Sequence, residues 1–229
     1  MYENLINFTE IYVLHFIALK PFQNKNVDLM TSFGLCEKIY LETMYKALEK
    51  TPINKNKVVQ IPRTGNSYPY YKKLITTYLK SQFPQGATVL DAGCGQGTYA
   101  IYLNKYFTMD GLDIYSPHDN EYTRELYRKV IIRDIRDFEY DYYDVVIIGD
   151  VLEHLSIEDA QKVVEYAKKH CSLLMVAVPY LLEQNANNNQ AELHLQPDLT
   201  DEIFQERYPG FTLFCNNNIY GYYIWRKKD

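Results

Sequence analysis

Four acids stand at or near the ends of four short apolar runs: Asp91 after Thr88 to Leu90, Asp113 within Met109 to Ile114, Asp134 closing Val130 to Asp134, and Asp150 after Asp144 to Gly149. If these runs are strands of one parallel sheet, the acids line its carboxyl edge, where open α/β sheets bind ligands. Any one of them has an ordinary structural alternative, such as capping a helix. Four in register make chance a poor account.

The first acid leads into T-V-L-D-A-G-C-G-Q-G-T-Y-A, residues 88–100, a strand, a tight turn and a helix start. Gly93, Gly95 and Gly97 let the backbone pass close under a ligand, and the N–H groups of a helix start favour polar or anionic groups. Dinucleotide-binding domains place G-x-G-x-x-G at the same point, so the turn alone is ambiguous. Here the spacing is G-x-G-x-G, no Lys or Arg lies in the turn, and Asp91 stands two residues before Gly93, where a pyrophosphate would not be welcome. That carboxylate better suits a ligand carrying an ammonium group. Asp113, sixteen residues past Gly97, could accept both hydroxyls of a ribose, with Ile114 beside it. Asp134 could take hydrogen bonds from an exocyclic amine of adenine, and the Ile135 N–H is a second reader.

The elements that must position these residues alternate. Tyr68 to Phe83 reads as a helix closed by Pro84 and Gly86, and Thr98 to Phe107 and Asn120 to Lys129 as two more. Ser156 caps a helix with an apolar stripe of Ala160, Val163, Val164 and Ala167, followed by Lys168, Lys169 and His170 at its negative end. Leu173 to Val178 is a fifth strand stopped by Pro179. Such alternation implies right-handed crossovers and a parallel sheet. After an irregular Asn-rich segment, Leu181 to Asp198, Thr200 caps a short helix, and strands at Phe211 to Cys215 and Ile219 to Trp225 form a hairpin. The expected fold is a doubly wound α/β domain over residues 56–229, with a mostly parallel seven-stranded sheet and a C-terminal antiparallel hairpin. Residues 1–55 carry two apolar-periodic stretches, Leu5 to Leu19 and Thr31 to Lys50, read as an added helical segment or cap. Plain packing or a homodimer contact is the ordinary reading of these helices and a lid the functional one.

Composition bounds the partners. A chain of 229 residues with 47% hydrophobic and 23% charged residues is that of a soluble globular protein. A net charge of −5 argues against broad binding of a nucleic-acid backbone, although a local basic patch stays open. The four cysteines are scattered without C-x-x-C spacing, which fits a reducing cytoplasm and neither a disulfide framework nor a zinc site. The apolar run Ile11 to Leu19 is too short for a membrane span, and no basic signal-peptide start precedes it.

In combination these motifs resemble the class I S-adenosylmethionine-dependent methyltransferases over roughly Tyr68 to Trp225. V-L-D-A-G-C-G-Q-G at 89–97 is similar to their first motif, Asp113 to their ribose acid, R-D-I at 133–135 to their adenine-reading element, and D-V-V-I-I-G-D-V-L-E-H-L at 144–155 to their fourth-strand motif. The resemblance implies S-adenosylmethionine as cofactor. The Gly93 to Gly97 backbone, including Cys94, would hold its methionine moiety, and Asp91 would lie near its ammonium group. I-P-R-T-G-N-S-Y-P-Y-Y at 61–71 and the segment 178–200 further resemble a group of small methyltransferases associated with bacterial surface-sugar and phage genes. Arg63 and the tyrosines Tyr68, Tyr70 and Tyr71 could reach the ligand, and simple packing is as good an account of them.

The sulfonium donor is already activated, so the protein must mainly align an acceptor with the methyl carbon and exclude water. A hydroxyl acceptor gains from a base, for which His194 and His154 are the candidates, with Glu192 and Glu153 as orienting acids. A structural hydrogen bond is the ordinary alternative for His154, and a plain loop position for His194. Glu153 and His154 could instead help bind a divalent ion, but adjacent residues are poorly placed to form a site alone, so no metal is expected. Cys94 lacks a histidine partner and is read as a small residue of the turn, not a nucleophile. The fourth strand lacks the Asn-Pro-Pro-aromatic sequence of nucleobase amino methyltransferases. The favoured acceptor is a small polar molecule, a sugar or nucleotide-sugar hydroxyl, with a small-molecule amine next. A donor-binding protein that has lost transfer and acts as an interaction module is the rival reading, and a dinucleotide dehydrogenase a third.

Overall fold

The computed structural model describes residues 59–60, 71–185, 190–217 and 219–228. The expected helices before residue 55, Arg63, Tyr68, Tyr70 and most of the Asn run lie outside the described residues. Beyond a two-residue strand β1 (Val59–Gln60), the described elements are α1 (Lys72–Gln82), β2 (Thr88–Ala92), α2 (Ala100–Leu103), β3 (Thr108–Asp113), α3 (Glu121–Leu126), β4 (Lys129–Ile132), β5 (Tyr143–Gly149), α4 (Ile157–Lys169), β6 (Cys171–Pro179), β7 (Leu182–Glu183), α5 (Asp201–Arg207), β8 (Thr212–Asn217) and β9 (Tyr220–Arg226). All belong to one compact unit, residues 54–229.

The main sheet has the order β4-β3-β2-β5-β6-β9-β8. Its first five strands pair in parallel, and β9 runs antiparallel to both β6 and β8. This is the expected seven-stranded sheet with its closing hairpin. The chain winds outward from β2 through β3 to β4 and then returns to lay β5 on the other side of β2. That reversal opens a crevice at the carboxyl ends of β2 and β5, the position at which doubly wound sheets take their ligands. A separate parallel pair joins β1 to β7 in the register Val59 to Leu182.

Burial explains the strand sequences. Val145, Val146, Ile147 and Ile148 of β5 are all inaccessible to solvent, as are Leu173 to Val178 of β6, because helices cover both faces. The predicted stripe of α4 is buried, and the Ser156 hydroxyl accepts from the Asp159 N–H at 3.1 Å to cap it. Thr200 caps α5 in the same manner, accepting from the Ile203 N–H at 3.2 Å.

The differences from expectation are local. The helix after the glycine turn is a single turn, Ala100–Leu103, rather than Thr98 to Phe107, because Thr108 must already be back in the sheet, where its N–H donates to the Ala87 carbonyl. β4 ends at Ile132 rather than Asp134, and α1 starts at Lys72, preceded by Tyr71 in a left-handed conformation with φ 59°.

Candidate active site

A cavity of about 400 Å³ opens at the carboxyl edge, within the range of small-ligand sites. Gly93, Cys94, Gly95, Asp113, Ile114, Asp134, Ile135 and Asp150 line one part of it, and His154, Leu155, Glu192 and Leu195 another. The first part is built by strand ends. The second is built by a 3₁₀ turn, Leu152–His154, and a strap that includes Glu192 to Gln196.

In the first part, backbone shape comes from glycine. Gly93 and Gly97 have φ of +80° and +85°, where side chains are strained. A Cβ on Gly93 would run into the Val151 Cγ2, and one on Gly97 would lie 2.5 Å from the Leu126 Cδ1. The Gly93 and Cys94 N–H groups donate to the Leu112 carbonyl at 2.8 and 3.0 Å, tying the turn to the end of β3. Asp113 finishes the tie. One carboxylate oxygen accepts from the Gly95 N–H at 2.8 Å and the other from the Tyr115 N–H at 2.8 Å. The His118 Nδ1 lies 3.1 Å from the same carboxylate, which pulls the imidazole pKa above its usual value.

Asp91 does not reach the cavity wall. It is fully buried beneath the turn, where Oδ2 accepts from the Tyr127 hydroxyl at 2.6 Å and Oδ1 has no hydrogen-bond partner among the described residues. Burial raises its pKa to about 6, against the pull of Tyr127 and of Lys72. Lys72 is itself buried, its Nζ 3.1 Å from the centroid of the Tyr99 ring, and burial lowers its pKa to about 7 against the charges of Asp150 and Asp91. The Cys94 thiol is pushed well up by burial, with Asp91 and Asp113 adding to it, so it stays protonated, in keeping with a turn residue rather than a nucleophile. Asp150 follows β5 in a left-handed conformation, φ 55°, and accepts from the Tyr220 hydroxyl at 2.8 Å.

Asp134 sits two residues beyond β4. Its carboxylate accepts from the Arg136 backbone N–H at 2.9 Å and from the Arg136 guanidinium, which holds the carboxyl below its usual range. Ile135 lies beside it on the cavity wall. Tyr71 points elsewhere: its hydroxyl donates to the Asn216 carbonyl at 3.1 Å and its ring meets Tyr222 edge-on.

The second part brings together residues 40 positions apart. The rings of His154 and His194 meet edge to face with centroids 4.6 Å apart. His194 is buried behind His154, and its Nδ1 lies 2.8 Å from the Leu182 carbonyl, while the His154 Nδ1 lies 3.2 Å from the Leu193 carbonyl. The strap is sewn to the 3₁₀ turn by main chain: the Leu195 and Gln196 N–H groups donate to the Glu153 carbonyl at 2.7 and 3.0 Å. Gln196 adds side-chain bonds to the Leu152 and Leu155 carbonyls at 2.8 and 3.1 Å. Glu192 is positioned by Gln184, whose Nε2 donates to both its carboxylate and its carbonyl at 2.9 Å.

The predicted residues thus fall into three groups. Gly93, Cys94, Gly95, Asp113, Ile114, Asp134, Ile135, Asp150, His154 and Glu192 face one cavity. Asp91, Gly97 and His194 support its walls from behind, and Tyr71 is apart from it. Sequence reasoning missed Lys72, His118 and Gln196. Lys72 offered no motif. His118 was discoverable, five residues past the ribose-type acid on the same loop.

A doubly wound sheet with a glycine turn, a strand-end acid at Asp113 and an open crevice at the reversal of strand order is the arrangement of a nucleotide-type ligand site. The methyltransferase-domain family profile matches residues 66–196, more than half of the chain, and the protein belongs to that family. Solved structures share the fold. An S-adenosylmethionine-dependent methyltransferase from Clostridium acetobutylicum superposes with a TM-score of 0.55 at 10% identity, over 81% of this chain and 98% of that one. The magnesium protoporphyrin IX methyltransferase of Synechocystis with bound S-adenosylmethionine gives 0.53 at 14%, over 80% and 95%. A TehB-like methyltransferase from Corynebacterium glutamicum gives 0.50 at 15%, over 84% and 98%. No curated protein matches the chain in sequence. Among the described residues, no helix is long and apolar enough to cross a membrane.

Proposed function

We propose that this methyltransferase transfers the methyl group of S-adenosylmethionine to a hydroxyl of a small polar acceptor, with a sugar or nucleotide sugar the favoured class. The observation that carries the reading is the Asp113 carboxylate at the end of β3, locked by two backbone N–H groups and facing the same cavity as the glycine turn. A carboxylate so held is pre-oriented for the vicinal hydroxyls of a ribose. The adenine then lies toward Asp134 and Ile135, and the methionine moiety along Gly93 to Gly95. Asp91 acts from beneath the turn, its charge favouring the ammonium group of the donor.

Opposite these groups, His154 and Glu192 present the polar side chains that receive the acceptor, with His194 behind. The acceptor oxygen attacks the methyl carbon in line, the carbon–sulfur electron pair returns to sulfur, and the hydroxyl proton leaves to this polar cluster or to water.

Calorimetry with S-adenosylmethionine tests the donor half. Wild type is expected to bind it in preference to NAD, and Asp113→Ala to weaken it 10-fold or more, as loss of a charged hydrogen-bond pair would. Unchanged affinity in that variant would sink the cofactor assignment. Methyl transfer from labelled donor to a panel of sugars, nucleotide sugars and amines then reads the acceptor class, and labelling of none of them would favour a donor-binding module.

A further inference from the structure

The pair of histidines and the buried acid beside them form more than an acid–base cluster. Glu153, His154 and His194 each offer one ligand atom, and these three atoms lie within 4.8 Å of one another. Glu153 is wholly inaccessible to solvent and His194 is 5% exposed, while His154 faces the cavity. Two imidazoles and one carboxylate make a donor set suited to first-row divalent ions such as zinc, manganese or cobalt. Metal–ligand bonds of about 2.0–2.2 Å place neighbouring ligand atoms about 3.0–3.5 Å apart, so closure around an ion needs side-chain shifts of about 1 Å.

The surrounding hydrogen bonds fit that use independently of the cluster itself. A carbonyl oxygen can only accept, so the contacts of the His154 Nδ1 with the Leu193 carbonyl and of the His194 Nδ1 with the Leu182 carbonyl place the proton on Nδ1 in both rings. In the neutral rings the lone pair is then on Nε2, the nitrogen left for an ion. Histidine ligands are commonly fixed by this arrangement, the non-ligating nitrogen donating to a backbone carbonyl. The main-chain bonds from Leu195 and Gln196 to the Glu153 carbonyl hold the two segments together before any ion arrives. Two adjacent residues alone make a poor site, and the third ligand, His194, comes from a strap that lies 40 positions away in sequence.

We propose that Glu153, His154 and His194 bind one divalent transition-metal ion at the acceptor end of the cavity, with its open positions toward the cavity on the His154 side. The ion site stands apart from the donor assignment. Its role rests on the reading above: an ion there binds the acceptor hydroxyl and lowers its pKa, so that the oxygen forms its bond to the methyl carbon as the carbon–sulfur bond breaks, and the hydroxyl proton passes to water. The histidines are then ligands rather than bases.

The test uses the full chain, stripped with a chelator and titrated with Co²⁺, followed by visible absorption, and with Mn²⁺, followed by the resonance of the free ion. One ion per chain is expected, with cobalt bands showing nitrogen ligation. His154→Ala and Glu153→Gln should each weaken binding 10-fold or more, and His170→Ala, at a histidine stacked on Tyr166 away from the cavity, should leave it unchanged. Calorimetry with S-adenosylmethionine reports whether each variant is folded. If Glu153→Gln does not fold, His154→Ala, at a partly buried position, and the wild-type cobalt spectrum decide. Binding well below one equivalent, or equal affinity in wild type and His154→Ala, overturns the proposal and leaves a buried acid–imidazole cluster. Donor binding without ion binding defeats the metal site alone, and ion binding without donor binding defeats the donor reading alone.

Discussion

The two ends of the cavity are built on different principles. The proposed donor end is made of consecutive strand ends, and the polar contacts that tie it together start from main-chain N–H groups: Gly93 and Cys94 to Leu112, Gly95 and Tyr115 to Asp113. The proposed acceptor end is a 3₁₀ turn and a strap joined by main-chain bonds from Leu195 and Gln196 to the Glu153 carbonyl, but its lining is set by side chains: Gln196 against the turn, Gln184 on Glu192, and two histidines from separate segments. A site whose shape is carried by backbone fixes one ligand and tolerates little change. A site assembled from side chains on a strap can be retuned residue by residue without disturbing the sheet, which suits a fold that keeps one donor and serves many acceptors.

The strongest way to break this contrast is at Gly93. Gly93→Ala places a Cβ against Val151 at a φ of +80°. Such a change costs about 1–3 kcal/mol in stability, and displacement of the turn is expected to weaken S-adenosylmethionine binding about 100-fold, equivalent to about 2.7 kcal/mol. Chemical denaturation and calorimetry measure the two effects. Wild-type donor affinity in this variant would show that the turn does not shape the donor end. A Val151→Ala background should relieve the clash but not the φ strain, so recovery is expected to be partial.

At the acceptor end the corresponding residue is Gln196. Its Nε2 serves two carbonyls of the 3₁₀ turn, and its Oε1 accepts from the Tyr208 hydroxyl at 2.9 Å and the Arg207 guanidinium at 3.1 Å. Gln196→Ala leaves buried groups unsatisfied and should cost about 2–3 kcal/mol. Because the glycine turn does not depend on it, donor affinity should change less than about 2-fold while the divalent-ion affinity of the histidine cluster falls. Equal loss of donor and ion binding would show that the two ends are a single unit.

The same contrast decides what could be read from the sequence. The donor end was legible because its residues follow strands in order, and a parallel sheet converts that order into spatial neighbourhood. The stripe of α4, the caps Ser156 and Thr200, and the closing hairpin were legible for a similar reason, each being a local pattern. The pairing of His154 with His194 was not, because it depends on where the strap returns, and no periodicity encodes that. Asp91 shows a subtler limit. Its place beside the glycine turn was visible, but its position under the turn, against Tyr127, depends on which way the side chain leaves β2. Lys72 was the least visible, a charged residue on the first turn of a helix whose buried face happens to pack on Tyr99.

Lys72 supplies the smallest and sharpest probe of the donor end. Its pKa is depressed from 10.5 to about 7 by burial, so the folded protein releases a proton that the unfolded chain keeps. A depressed pKa gives stability that is complete above about 10.5 and is lost as the pH falls toward about 7. Between pH 7 and 9 this group should therefore make stability rise with pH, by at most about 1.4 kcal/mol per pH unit. Asp91 acts with the opposite sign at lower pH: its pKa is raised from 3.8 to about 6, so its contribution is complete below 3.8 and lost as the pH rises through about 6. The Asp91 and Lys72 windows do not overlap, so Asp91 does not mask the lysine, and the raised His118 imidazole, which acts with the opposite slope above 6.5, is common to wild type and variant. Lys72→Met should flatten the rise between pH 7 and 9 in denaturant unfolding, and leave the ion affinity of the histidine cluster unaltered because its ligands belong to the other end. A slope that persists in the variant would place the titrating group elsewhere. A change in ion affinity would mean that charge beneath the glycine turn is felt across the whole cavity, so that the two ends differ in construction but not in electrostatics.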